Sequence, residues 1–230
     1  MAKPVKKVTR KELLKEPDEF ITFSGKLIAF GRQYQRQLVY GAAALCILLV
    51  VFTATRYFSQ RADAQAFALL DGLSRQYAAA LQEKGPDGAL EAVEDGFENL
   101  LQDYGGRSGG RLARIRYGDI CYAAGRIERA VALYQDALGD FAQDPFYRGL
   151  LLINLGYAHR QQGNQAEAIR HFQQVAEMGG APLKAEALFV LGDLYTGAGQ
   201  SNQAQAAYRQ IVDEFPQSTY ADVAQEQISG

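Results

Sequence analysis

The stretch Leu155-Gly156-Tyr157-Ala158-His159-Arg160-Gln161-Gln162-Gly163-Asn164-Gln165-Ala166-Glu167-Ala168-Ile169-Arg170-His171-Phe172-Gln173-Gln174-Val175 has two relatives inside the same chain. Its framework, Gly156, Gly163, Ala168, Phe172 and Val175, recurs at identical offsets as Gly118, Gly125, Ala130, Tyr134 and Ala137, and again as Gly192, Gly199, Ala204, Tyr208 and Ile211. The leading glycines lie 38 and then 36 residues apart, and Pro145, Pro182 and Pro216 recur near the seams. A period of this size marks an array of supersecondary units, each too small to bury its own apolar face.

Each unit reads as two helices. Gly118, Gly156 and Gly192 remove the side chain where the first helix must approach the second. Gly125, Gly163 and Gly199 follow seven residues later, where a tight turn needs positive φ. The Ala-x-x-x-aromatic-x-x-apolar spacing of the second helix puts its three packing residues on one face. The result is a repeated helical hairpin. These residues resemble the tetratricopeptide repeat, whose pattern is Leu-Gly, a Tyr-type position three further on, a turn Gly, then Ala, an aromatic and Ala, with Pro closing the unit. The resemblance covers residues 149–178, 185–216 and 111–138, and implies an all-α solenoid. A weaker unit is expected upstream, with Val93, Phe97 and Leu100 on its second helix and residues 64–81 as its first. Residues 218–228 read as a terminal capping helix.

Upstream of the repeats, the nineteen positions between Arg36 and Arg56 carry no charge. At about 1.5 Å per residue they span roughly 28 Å, close to the hydrocarbon core of a bilayer. Tyr40, Tyr57 and Phe58 flank the run as interfacial aromatics do. A cleaved signal peptide fits less well, because 36 residues precede a full span. A lipoprotein fits less well still, because Cys46 lies mid-run. A buried helix of a soluble domain would show polar residues every third or fourth position. The expected organisation is a basic cytoplasmic head over 1–36, a transmembrane helix over 37–56, a helical connector with a degenerate repeat over 57–104, and three repeats plus the capping helix over 105–230.

Charge sets the expected orientation. Residues 1–36 hold nine Lys/Arg and four Asp/Glu, a net of +5, whereas the rest holds 15 basic and 22 acidic residues, a net of −7. The positive-inside rule then keeps the head in the cytoplasm and exports the body. An acidic body with only Lys84 and Lys184 makes nucleic acid an improbable partner. Cys46 in the span and Cys121 in the body offer no sensible disulfide. In the head, Phe20, Phe23, Leu27, Phe30 and Tyr34 recur at three- and four-residue steps beside Lys26, Arg32 and Arg36. That pattern describes an amphipathic helix for the anionic inner leaflet or for a partner's cytoplasmic loops.

No enzyme signature emerges. The glycine-rich run Gly105-Gly106-Arg107-Ser108-Gly109-Gly110 lacks the preceding strand and the Lys-Ser/Thr of a phosphate loop, and reads as a flexible connection. Cys121 and His159 occupy the first-helix packing position that Tyr195 holds in the third unit, which indicates structural roles. His171 reads as solvated. Two histidines and one exported cysteine make no four-ligand zinc site without carboxylates, so neither metal nor other cofactor is expected. The spaced acids Asp136/Asp140 and Glu94/Glu98 read as solvated helix faces.

Function is then expected on a surface. In a stack of hairpins the first helices line the concave face, and residues one step from the packing positions point into it. Those are Ile115, Asp119 and Tyr122; Ile153, Tyr157 and Arg160; Phe189, Asp193 and Thr196. Such a set suits a groove for an extended or helical peptide, with aromatics as anchors. Repeats that clamp the carboxylate terminus of cytosolic chaperones carry Lys, Asn, Asn, Lys and Arg where this chain has Ile115, Asp119, Asn154, Glu186 and Val190. Only Asn154 agrees. The order of basic head, single span and acidic repeat body is similar to the membrane-anchored family that includes the ancillary subunit of the bacterial Sec translocon. That resemblance implies a non-catalytic inner-membrane adaptor whose exported groove binds an envelope protein, at the translocon exit together with a periplasmic chaperone. An envelope assembly factor, of the kind that holds apocytochromes during haem attachment or coordinates cell division, remains the alternative.

Overall fold

The computed structural model describes residues 19–178 and 183–229, and among them all regular structure is helical. The chain divides into two compact units, residues 1–59 and 60–230. In the first, α1 spans Glu19–Gln33, and α2, Gln35–Tyr104, begins directly after it. Leu27 and Phe30 are exposed, and the Phe30 and Tyr34 rings lie 4.7 Å apart. Most of the basic head, with the side chains of Phe20 and Phe23, lies outside the described residues. The most apolar 18-residue window of α2 has a mean hydropathy of 2.3, and none of it is buried. This helix is long and apolar enough to cross a membrane. Thr53 Oγ1 donates to the carbonyls of Leu49 and Val50 at 2.8 and 3.0 Å, and Thr55 Oγ1 to that of Phe52 at 2.9 Å. Both hydroxyls are thereby satisfied within the helix itself.

The second unit opens on a hairpin made by α2 itself. Its helical path breaks at Gly85, whose φ is +70° and which is followed by Pro86. Beyond the break the chain runs back: Gln76 Nε2 donates to the Ala92 carbonyl at 2.7 Å, and Gly96 packs against the Leu73 side chain. Tyr77, Val93, Phe97 and Leu100 are buried along the seam. Three further hairpins follow, α3 Ser108–Ala123 with α4 Ile127–Asp140, α5 Pro145–Gln161 with α6 Gln165–Glu177, and α7 Lys184–Gly197 with α8 Ser201–Glu214. The short α9, Ala221–Ser229, packs on α8 through Ala221 and Ala224.

The hairpin turns are built alike. Gly125, Gly163 and Gly199 have φ of +70°, +77° and +71°. In each turn the next residue's amide closes back five residues: Arg126 to the Cys121 carbonyl at 2.8 Å, Asn164 to His159 at 2.9 Å, Gln200 to Tyr195 at 2.8 Å. This six-to-one bond with a left-handed glycine is the Schellman closure of a helix C-terminus. At the start of α5, Asp144 Oδ1 accepts from the amides of Phe146 and Tyr147 at 3.0 and 3.1 Å, with Pro145 at the first helical position, where its missing N–H costs nothing. Pro182 lies outside the described residues.

Aromatic stacking carries the core from hairpin to hairpin. Phe97 lies 5.3 Å from Tyr117 with rings 6° from parallel, which joins the first hairpin to α3. Leu138 packs against both halves of the core, one reaching from Tyr77 to Leu155 and the other from Leu152 to Ala224. The glycine-rich run corrects the expectation of a flexible connection. Gly109 and Gly110 are buried in the first turn of α3, and a Cβ at Gly109 would lie 2.8 Å from the Ala66 Cβ and the Phe67 nitrogen. One at Gly110 would collide with the Tyr104 carbonyl. The glycines serve close packing, not mobility.

Candidate functional site

The first-helix face is organised by one recurring contact. Without a side chain at Gly118, the Tyr134 ring lies across α3, where an added Cβ would meet it at 2.6 Å, and its hydroxyl donates to Asp119 Oδ1 at 2.9 Å. The last hairpin repeats this: Tyr208 lies over Gly192 and donates to Asp193 Oδ1 at 2.9 Å. The middle hairpin departs from it. Phe172 covers Gly156 but has no hydroxyl, and Tyr157 replaces the acid. Tyr157 packs edge-on against Phe172 at 5.3 Å, and its own hydroxyl crosses to the next hairpin, donating to Glu186 Oε1 at 2.8 Å. Asn154 Nδ2 donates back to Asp119 Oδ1 at 3.2 Å, and Phe189 stacks on Tyr220 at 5.1 Å. Side-chain contacts therefore run unbroken from α3 through α5 and α7 to the segment before α9.

Burial sets the electrostatics of this face. Asp119 is pushed above the ordinary carboxylate value chiefly by desolvation, against the pull of the Tyr134 hydroxyl and of Arg116. Tyr157 is raised by burial first and by its bond to Glu186 second, and Tyr208 by burial and then by Asp193. Both phenols stay protonated and act as donors at neutral pH.

Seven of the nine residues expected on this face are accessible to some degree. Arg160 and Thr196 are exposed, and Asp119, Tyr122, Tyr157, Phe189 and Asp193 are half-buried. Thr196 turns its hydroxyl back to the Gly192 carbonyl at 2.9 Å. Ile115 and Ile153 are corrections: at 6% and 3% exposure they belong to the core. Each stands one turn before Asp119 or Tyr157 and belongs to one of the two apolar clusters of the core. Phe189, in the corresponding place of the last hairpin, lies between Tyr208 and Tyr220 and stays partly open. The acid at Glu186, partner of Tyr157, entered the sequence reading only as a mismatch to the carboxylate clamp. Two other clamp positions, Ile115 and Val190, are buried, and Asp119 and Asn154 bond to each other.

The other singled-out groups are engaged structurally. Cys121 is buried, and desolvation pushes its thiol up to about 11. Asp140 pairs with Arg114 and Glu98 with Arg129, the latter at 3.2 Å. His171 corrects the expectation of a solvated side chain: it is 6% exposed, its ring stacked on His159 with centroids 5.3 Å apart and planes 12° apart. Glu167 completes a group of three potential ligands with the two histidines.

The tetratricopeptide-repeat family model matches residues 113–179 and 147–213. Among curated proteins, none matches the chain in sequence. Solved structures share the fold. A tetratricopeptide repeat protein from Parabacteroides merdae is 16% identical with a TM-score of 0.56, over 70% of this chain and 59% of that one, so only part of that protein's length is spanned. The kinesin-light-chain-type, nearly identical TPR-like repeats of Podosopora anserina are 16% identical with a TM-score of 0.57, over 73% of this chain and 85% of theirs. MamA from residue 41 onward, of Desulfovibrio magneticus, is 16% identical with a TM-score of 0.50, over 70% of this chain and 92% of that one. Residues 113–213 are therefore tetratricopeptide repeats, and the helices that carry them form an all-α solenoid of that type.

Proposed function

We propose that this chain is a non-catalytic, membrane-anchored adaptor: residues 37–56 hold it in the bacterial inner membrane, the basic head stays in the cytoplasm, and the exported repeats bind an envelope protein along the first-helix face. The observation that carries the reading is the contrast between two sets of aromatics. Tyr117, Tyr134, Phe172 and Tyr208 are buried between helices, whereas Tyr122, Tyr157 and Phe189, from three successive first helices, remain half-exposed. A row of partly exposed aromatics beside Arg160 and Asp193 has the composition of a protein-binding surface with aromatic anchors. Support for the anchor comes from an apolar segment that buries nothing within the chain, and from a charge difference of +5 against −7 across it. The partner is an envelope protein at the exit of the Sec translocon, met together with a periplasmic chaperone.

Photocrosslinking in native membranes tests this. A crosslinker at Tyr122 should capture a discrete envelope protein, while one at Gln205, exposed on the second helix of the last hairpin, should not. Equal capture at both positions, or none at Tyr122, overturns the groove. Capture of an apocytochrome or a division protein overturns the translocon assignment and leaves the groove standing. Protease added to spheroplasts should digest the chain beyond Arg56 and spare the head, and the reverse pattern overturns the orientation.

A further inference from the structure

Both histidines of this 230-residue chain lie in one hairpin. His159 stands in the last turn of α5, and Glu167 and His171 stand four residues apart on α6, one above the other on the same face. The Gly163 turn folds α6 back so that a donor atom from each of the three comes within 4.8 Å of the other two. The Nδ1 atoms of His159 and His171 are both buried and neither has a hydrogen-bond partner. A buried polar atom without a partner is costly, so two in one contact ask for a reason.

Comparison among the repeats sharpens the point. The positions of His159, Glu167 and His171 are held by Cys121, Arg129 and Leu133 in the first unit and by Tyr195, Gln203 and Ala207 in the third. In those units the two outer positions are plain packing sites: Cys121 and Leu133 are 1% and 4% exposed, Tyr195 and Ala207 each 7%. The middle unit gives up that packing pair for two imidazoles and adds a carboxylate one helical turn away. A structural preference shared by all three hairpins does not account for this substitution.

We propose that His159, Glu167 and His171 form a binding site for a borderline divalent transition-metal cation, zinc above all, that clamps the turn between α5 and α6. Two imidazole nitrogens and one carboxylate oxygen form the three-protein-ligand set that zinc accepts with a fourth position left to water. The three donors, all within 4.8 Å of one another, stand close to the separations that zinc–ligand distances of about 2.0–2.2 Å would set. Arg170 is the competitor. Its guanidinium grips Glu167, with Nε 3.0 Å from Oε2, and must release it when the cation enters.

The test uses the full chain in detergent, treated with chelator and carrying no histidine tag. Titrated Zn²⁺ should bind one equivalent and raise the thermal midpoint, and Co²⁺ should give the visible bands of a tetrahedral site. His171→Leu restores the residue that the first unit carries, so it should fold while weakening Zn²⁺ binding about 10-fold or more, as should Glu167→Gln. Arg170→Ala should tighten binding, an effect that no purely structural role for the histidines produces. Absence of stoichiometric binding to the folded wild-type chain overturns the proposal. So does Zn²⁺ binding of unchanged strength in both His171→Leu and Glu167→Gln, which would place the cation elsewhere.

Discussion

At Tyr157 the phenol is committed across a hairpin seam, its ring on Phe172 and its hydroxyl on Glu186, so this residue belongs to the fold as much as to the exposed face. Tyr157→Phe keeps the ring and removes the bond, and should cost about 0.5–1.5 kcal/mol in a denaturant titration. The same substitution in a Glu186→Gln background should cost less, because the two changes remove one interaction. Asp119 gives a pH signature. Its folded-state value is raised above the ordinary 3.8 by burial. The fold thus prefers the protonated acid, and that contribution is present below the ordinary value and lost as pH rises through the raised one. Asp119→Asn, which can still accept from Tyr134 and Asn154, should therefore gain on the parent in thermal midpoint as pH climbs from about 3.8 toward neutrality. A parent that gains on the variant would contradict the desolvation argument.

Two kinds of glycine shape each hairpin, and they fail in different ways. Gly156 lies under Phe172, where an added Cβ would sit 2.7 Å from the ring, whereas Gly163 has open space but a φ of +77°. Gly156→Ala should cost about 1–3 kcal/mol through overpacking, and Phe172→Leu should relieve part of it. Gly163→Ala should cost about 1–2 kcal/mol through left-handed backbone strain, which no change at Phe172 can relieve. A double-mutant cycle reads the difference directly: coupling above about 0.5 kcal/mol for the first pair and none for the second. Because repeats are stabilised largely by their neighbours, the Gly156→Ala loss should extend to the last hairpin, as hydrogen exchange of α7 amides would show.

For the whole molecule, the separation between an apolar segment that buries nothing and a solenoid with its own core predicts that the two units tolerate damage independently. Leu48→Lys places a charge at the middle of the proposed span, where it costs about 2.5–3.5 kcal/mol of insertion free energy. Carbonate extraction of cell membranes should then release more of the variant, while the thermal transition of the repeats stays where it was. A shifted repeat transition would mean that the apolar segment supports the solenoid after all.

Local chemistry explains what could be read in advance. A turn that needs positive φ and a helix contact that admits no Cβ each demand glycine at one position, so Gly118/Gly125, Gly156/Gly163 and Gly192/Gly199 announced helical hairpins wherever the chain might have packed them. The uncharged run up to Arg56 is likewise a property of composition alone. The surroundings of Ile115, Ile153, His171, Gly109 and Gly110 are not legible in sequence spacing, because burial there depends on residues distant in the chain. The two isoleucines join apolar clusters that several helices build, His159 stacks on His171, and Gly109 meets Ala66 and Phe67 of the first hairpin. Amino-acid sequence by itself determined the repeating hairpin, through backbone and steric needs met within one unit. Only the tertiary structure decided which side chains face solvent, which acid each tyrosine reaches, and that both histidines meet Glu167, because burial depends on neighbours that sequence spacing does not name.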